Sequence, residues 1–382
     1  MRQPRGPALP LLAMLVAACG SEPTVAPSQS PVLLSGTASA ALVPLDPFGI
    51  GARIPGSRGC RATAYRQFDF WVGKWDVYGF PNGTDLQGTN IITSELDGCV
   101  VLENWKSIFG GRGRSLNAYD ASTGRWSQMW VGGGGCPFAN IFVEGGLENG
   151  VMKMTGRREQ PSGFLITQCP GAGSVVFAHA DRIHWTPLPF GEVLQQSVFA
   201  NNNDPLPAIT PPPAGVGLRY VPVTTVSTIP APEGVSFCQF RPQARHFDFM
   251  VGTWDVHQGN GDGVQGTATF SKDITNCLLE ERFEGPGGYA GLSFNTYDAF
   301  TQLWYRTYVD NDGQRILMTG RLLNGSMVLT GTKASSAGRS IEVRVTWTPV
   351  GTDRVEQHWD YSQDRGDSWQ AGQDIVFTRR QP

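Results

Sequence analysis

Between residues 340 and 347 the chain alternates strictly. Ile341, Val343, Val345 and Trp347 fall on one set of positions, and Ser340, Glu342, Arg344 and Thr346 on the other. A period of two marks a strand with one face buried. Short β-branched and aromatic runs of this kind predict ten strands in the C-terminal half, near 252–257, 265–272, 278–284, 290–297, 303–309, 315–322, 327–333, 340–348, 354–361 and 370–379. Turn chemistry separates them: Gly259-Asn260-Gly261-Asp262-Gly263, Pro286-Gly287-Gly288, Asn311-Asp312-Gly313, Asn324-Gly325 and Asp364-Arg365-Gly366. No stretch sustains helical periodicity. A run of about ten hairpin-linked strands predicts an up-and-down antiparallel barrel, because closure removes exposed edges. A β-sandwich is the alternative.

The same pattern is written twice. Phe68-Asp69-Phe70-Trp71-Val72-Gly73-Lys74-Trp75-Asp76-Val77 returns as Phe247-Asp248-Phe249-Met250-Val251-Gly252-Thr253-Trp254-Asp255-Val256, and Ser115-Leu116-Asn117-Ala118-Tyr119-Asp120 as Ser293-Phe294-Asn295-Thr296-Tyr297-Asp298. The expected fold is therefore all-β, with two tandem barrels over residues 59–223 and 235–382 and a linker at 224–234. The first copy carries a long Asn- and Pro-rich segment over 200–215, which predicts a loop before a closing strand near 216–223.

The N-terminus follows different rules. Arg2 and Arg5 precede an apolar run from Ala8 to Ala18, too short to span a bilayer. It ends in Val16-Ala17-Ala18-Cys19-Gly20, which resembles the bacterial lipobox, in which the cysteine is lipidated and the chain cut before it. Residues 1–18 then form a signal peptide, and 19–58, rich in Ser, Pro, Ala and Thr, a disordered tether. An ordinary signal peptide is the alternative. The expected place is the cell envelope, held by the lipid anchor alone. Gly20, where an inner-membrane retention signal has aspartate, points to the outer membrane.

Six further cysteines remain. Cys60 to Cys99 and Cys238 to Cys277 are equally spaced and sit at the same place in each copy. The duplication predicts bridges Cys60–Cys99 and Cys238–Cys277, leaving Cys136–Cys169 as an extra bridge in the first copy. Such bonds persist in exported chains. A metal-thiolate site is the alternative, but no Cys-x-x-Cys occurs and the five histidines are scattered. No metal or cofactor is expected. The net charge of −3, without Lys/Arg clusters, argues against nucleic acid. Gly-x-Ser-x-Gly, His-Glu-x-x-His and P-loop patterns are absent.

Gly73-x-Trp75 and Gly252-x-Trp254 resemble the lipocalin and calycin signature, and the longer repeated phrase resembles secreted bacterial domains of unknown function with a nitrobindin-like barrel. The resemblance implies that each tryptophan plugs a barrel end beneath an arginine, with Arg379 or Arg380 over Trp254 and Arg219 over Trp75. Ser362-Gln363-Asp364-Arg365-Gly366-Asp367-Ser368-Trp369 resembles the Asp-box of sialidase-like propellers, which implies a stabilised hairpin turn.

No histidine recurs in both copies, which disfavours shared histidine chemistry. Glu103 and Glu281 stand out instead, each four residues past a cysteine in an apolar strand. Trp126, Gln128 and Trp130 share one face of a later strand, and Trp304, Arg306 and Tyr308 replace them in the second copy. The candidate ligand-binding residues are Glu103, Asn117, Gln128, Trp130 and Gln196 in the first copy and Glu281, Asn295, Arg306, Tyr308 and His358 in the second. An apolar pocket with a few fixed polar groups is one reading; a structural Glu281–Arg306 ion pair is the other. The expected function is binding of a small amphiphilic or hydrophobic ligand. The alternatives are a protein-interaction scaffold, contacting a protein partner through residues 132–136 and 200–215, and a glutamate-dependent hydrolase or isomerase.

Overall fold

The computed structural model describes residues 60–81, 83–133, 140–159, 178–201, 204–210, 217–229, 238, 241–259, 263–334 and 340–381. Cys19, the tether, Cys136 and Cys169 lie outside the described residues. The rest belong to one compact unit. Ten strands close the first barrel: β1 Gly73–Phe80, β2 Leu86–Glu95, β3 Val100–Ser107, β4 Arg112–Asp120, β5 Arg125–Gly132, β6 Asn140–Glu148, β7 Val151–Glu159, β8 Ala178–Pro187, β9 Val193–Asn201 and β10 Gly217–Pro222. Ten more close the second: β11 Gly252–Gln258, β12 Val264–Asp273, β13 Leu278–Glu284, β14 Ala290–Asp298, β15 Leu303–Asp310, β16 Arg315–Leu323, β17 Ser326–Ala334, β18 Ser340–Pro349, β19 Arg354–Ser362 and β20 Gln370–Arg379. Every strand pairs antiparallel with its sequence neighbour, and the first and last strands of each barrel close the ring. Closure leaves no free sheet edge, and it explains why the alternation in the sequence is so regular.

One end of each barrel is stoppered by the repeated aromatic phrase. A short 3-10 turn carries Asp69–Trp71 in barrel 1 and Asp248–Met250 in barrel 2. Phe68, Trp71, Trp126 and Trp185 are buried together in the first, and Phe247, Trp254, Trp304 and Trp347 in the second. Trp75 Nε1 donates to the Trp71 carbonyl at 3.0 Å, and Trp254 Nε1 to the Met250 carbonyl at 2.7 Å.

The guanidinium of Arg379 lies 4.1 Å over the Trp254 ring and donates to the Val251 carbonyl at 2.8 Å. Gly252 makes room for it. Its φ of +130° suits glycine, and a Cβ there would stand 2.4 Å from Arg379 Nη1. Barrel 1 departs from the expectation. Arg219 lies over the Tyr78 ring at 5.8 Å and pairs with Glu192, away from Trp75. The register explains it: Trp254 faces Arg379 across the closing pair, but Trp75 faces Pro222. Arg219 is also one residue out of phase with the inward Tyr220, so it points outside.

Disulfides join Cys60 to Cys99 and Cys238 to Cys277. Each closes a loop of 39 residues, worth about 4 kcal/mol in the chain-entropy picture. Their presence fits an oxidising, exported setting. Among the described residues no helix is long and apolar enough to cross a membrane. The Asp-box segment is the β19–β20 hairpin: Asp364 Oδ1 accepts from Ser362 Oγ at 2.6 Å and from the Ser368 amide at 2.9 Å.

The barrels pack side against side. Val100, Leu102, Leu116, Ala118, Met129 and Val131 point out of barrel 1 and share one buried cluster with Leu278, Leu292, Phe294 and Val309 of barrel 2. Two ion pairs cross the seam, each ending on the same carboxylate position of the repeat. Arg158 donates to Asp298 at 2.9 Å, and Arg315 donates to Asp120, the repeat counterpart of Asp298, at 2.8 Å. Phe142 stacks on Tyr305 with ring centroids 4.0 Å apart.

Candidate functional site

The inner faces of β3, β4 and β5 place the same polar core in each barrel. In barrel 1, Glu103 is buried, at 3% exposed. Ser115 Oγ donates to Glu103 Oε2 at 2.8 Å, and Asn90 Nδ2 on β2 donates to Oε1 at 2.7 Å. Asn117 Nδ2 donates to Ser115 Oγ at 2.9 Å and to the Val101 carbonyl, while Gln128 Nε2 donates to Asn117 Oδ1 at 2.9 Å. Burial pushes the Glu103 carboxyl up to about 7, and the bonds from Ser115 and Asn90 offset this only in part. Among the described residues no cation touches it.

Barrel 2 repeats the arrangement with one exchange. Ser293 Oγ donates to Glu281 Oε2 at 2.8 Å, and Asn295 Nδ2 donates to Ser293 Oγ at 2.9 Å. Arg306 stands where barrel 1 has Gln128. Its Nη1 donates to Ser293 Oγ at 2.7 Å and Asn295 Oδ1 at 2.9 Å, and its Nη2 reaches Glu281 Oε2 at 2.6 Å. Both members are buried, at 4% and 2%. The guanidinium also lies 5.4 Å from both the Tyr308 and Trp347 rings. The structural ion pair anticipated as the rival to a pocket is thus present in barrel 2.

The end of the barrel opposite the aromatic stopper differs more. In barrel 2, Tyr289 Oη donates to Asp310 Oδ2 at 3.0 Å and lies 3.0 Å from Tyr308 Oη, so this chain closes the end. Burial raises Asp310 to about 6 despite amide donors from Gln314 and Asp312. The equivalent positions in barrel 1 are Gly111, Trp130 and Gly132, by the matching registers around Gly113 and Gly291. Phe283, Tyr308, Ile316 and Ile375 are buried on the inner face of barrel 2. Their barrel 1 counterparts Trp105, Trp130, Ile141 and Leu218 are each only half-buried. Among the described residues, the inner face at this end of barrel 1, above the Glu103 network, is therefore less covered than its counterpart in barrel 2.

The structure brings together Glu103, Asn117, Gln128 and, nearer the less covered end, Trp130. It likewise gathers Glu281, Asn295, Arg306 and Tyr308. It does not bring in Gln196 or His358. Their neighbours Gln195 and Trp359 are on the inner faces, so both point outward. Gln196 donates to the Thr210 carbonyl at 2.8 Å, and His358 sits on the surface between Asp374 and Asp360. Sequence reasoning missed Asn90, Tyr289 and Asp310. It also left Ser115 and Ser293 without a role, although both open the repeated Ser-x-Asn-x-Tyr-Asp phrase.

A cleft of about 420 Å³ also opens between the barrels, with Met129, Phe142, Tyr305, Leu317, Thr155 and Thr319 in its wall. Gln128 and Arg306 border it, but their side-chain bonds are spent inside the barrels. The isolated buried carboxyl lies elsewhere, inside barrel 1.

No family model matches the chain, and no curated protein matches it. Among solved structures it is similar to a protein of unknown function from the DUF3598 family of Nostoc punctiforme, at 10% identity over 84% of this chain and 100% of that one, with a TM-score of 0.17. It is also similar to a tryptophan-to-alanine variant of transferrin-binding protein B from Haemophilus parasuis, at 9% identity over 77% of this chain and 66% of that one, with a TM-score of 0.18. Likenesses this remote carry nothing about a ligand.

Proposed function

We propose that the chain is an exported lipoprotein, anchored through Cys19 in the outer membrane, whose first barrel binds a small amphiphilic molecule. In this reading the two barrels are lipocalin-like but divide their work. Barrel 1 is the binder and barrel 2 is the rigid partner, its interior closed by its own side chains. The observation that carries it is the less covered end of barrel 1 over a buried, hydrogen-bonded glutamate. Trp105, Trp130, Ile141 and Leu218 supply half-buried apolar wall there, and Glu103, Asn117 and Gln128 supply fixed polar groups deeper in. Glu103 serves as a recognition group rather than a base in this reading.

Native mass spectrometry of the chain from residue 20, exported to a periplasm and purified without denaturant, tests the proposal. A discrete extra mass released on unfolding supports a binder. The Gly111→Tyr variant locates it, since it restores the phenol that plugs barrel 2. A Cβ at Gly111 meets nothing closer than Ser107 Cβ at 3.7 Å. The extra mass should vanish in that variant. An apo mass in the parent, or an extra mass retained by Gly111→Tyr, overturns it.

A further inference from the structure

We infer that the ligand of barrel 1 carries an organic cation, an ammonium or guanidinium head on an apolar body, and that this head seats against Glu103. The inference rests on the reading of barrel 1 as a binder and adds the chemistry of its ligand. Barrel 2 shows what the shared frame accepts. Its glutamate, serine and asparagine are matched by a guanidinium, held 2.6 Å from the carboxylate and flanked by two aromatic rings. Arg306 acts there as a built-in ligand.

Barrel 1 keeps the frame and the rings but not the cation. The residues at the ring positions are Trp130 and Trp185. Gln128 reproduces the upper part of the arginine's role, donating to Asn117 Oδ1 at 2.9 Å and reaching Ser115 Oγ at 3.4 Å. The donor to the glutamate has no counterpart on β5, because the glutamine side chain is shorter.

A second acceptor points the same way. Asn90 is fully buried and its Nδ2 is used on Glu103, while its Oδ1 has no partner. Barrel 2 has Ala268 at that position, by the pairing of Trp75 with Asn90 and Trp254 with Ala268. Barrel 1 thus buries a carboxyl matched by neutral donors alone, beside an amide oxygen with no donor. Buried acceptors left unmatched are costly, and a cation with several N–H groups satisfies both. An anionic head meets only repulsion there, and a lone hydroxyl supplies one donor. Tryptophan faces add the attraction of ring quadrupoles for a cation.

Calorimetric titration of the full exported chain, stripped of ligand by unfolding and refolding, tests the assignment with three probes of one chain length: octylammonium chloride, octanoate and octanol. The titration is run at about pH 8, where the carboxyl is ionised. Octylammonium should bind at least about tenfold more tightly than the other two. Glu103→Gln should bring its affinity down to that of octanol, and Gln128→Arg, which installs barrel 2's own cation, should abolish it. Melting curves by circular dichroism confirm that each variant is folded. If Gln128→Arg does not fold, Glu103→Gln decides. If octanol or octanoate binds as tightly as the amine, the cation assignment is overturned while barrel 1 remains a binder. If none of the three binds, the assignment and the binding reading fall together.

Discussion

Barrels 1 and 2 share strand order, disulfide and aromatic stopper, yet they solve the same interior problem in opposite ways. Barrel 2 buries a glutamate and matches it with Arg306 from two strands away, then seals the far end with Tyr289, Tyr308 and Asp310. Barrel 1 buries the equivalent glutamate with neutral donors only and puts Gly111 and Gly132 where the seal would be. The difference teaches where to look in a duplicated fold. The copy that satisfies itself reads as structure, and the copy that buries a carboxyl without a counter-charge and, among the described residues, lacks the seal is the candidate site.

The comparison breaks most visibly at the β5 exchange. Arg306→Leu strands Glu281 in the interior and should cost about 3–5 kcal/mol. Gln128→Leu removes only neutral hydrogen bonds and should cost about 1 kcal/mol. Urea denaturation of both variants checks this, and similar losses would erase the distinction between the barrels.

Next in size is the pH dependence of barrel 1. Glu103 is raised from 4.5 to about 7 in the folded chain, so between those values the folded state holds a proton that the unfolded state has released. Folding is then favoured by acid, and stability should fall as pH rises through this window by about 3 kcal/mol. Glu103→Gln should remove that slope, leaving the variant more stable than the parent above about pH 7 and equal to it below about pH 4. Asp310 adds its own slope of the same sign, so the difference between parent and variant is the quantity to read.

Smaller effects sharpen the contrast at the stoppered end. Arg379→Ala removes the cation over Trp254 and its carbonyl bonds, and should cost about 1–2 kcal/mol. Pro222→Ala, at the matching place in barrel 1, should stay within about 0.5 kcal/mol. Least of all is His358→Gln. Burial lowers this imidazole's pKa, but Asp374 and Asp360 outweigh it and the net shift is upward. Its pairing therefore stabilises the fold below pH 6.5 and is lost as pH rises through the folded value. Exposure holds the effect under about 0.5 kcal/mol. Ligand binding should not change in that variant, since His358 points away from the interior.

Much of the fold was legible because a barrel strand is a simple code. Ile341, Val343, Val345 and Trp347 give their face directly, and equal cysteine spacing in two copies gives the bridges. Four features were not. Comparing copies aligned Gln196 with His358 correctly but said nothing of which face they share; that needs the inward partners Gln195 and Trp359. Arg219 was assigned to the wrong ring because the long segment before β10 hid its register with β1. The seam between the barrels was also missed, although Val100-Val101-Leu102 is apolar on consecutive positions. Such a run marks a strand buried on both faces, and the second face is the other barrel. The missing phenol–carboxylate seal of barrel 1 was the hardest to see. It lies in what Gly111 and Gly132 lack, and that has meaning only once Tyr289 and Asp310 are seen in place.

The seam is built from the same face of each copy, Val100, Leu116 and Val131 against Leu278, Phe294 and Val309, which gives the two halves the logic of a two-fold dimer written into one polypeptide. In such a dimer, dilution would peel the subunits apart and bare an apolar patch. Here the covalent link makes their meeting a unimolecular event, independent of how many copies are present. The sticky faces are used up within each molecule, so one half is free to change its interior while the other holds it in place.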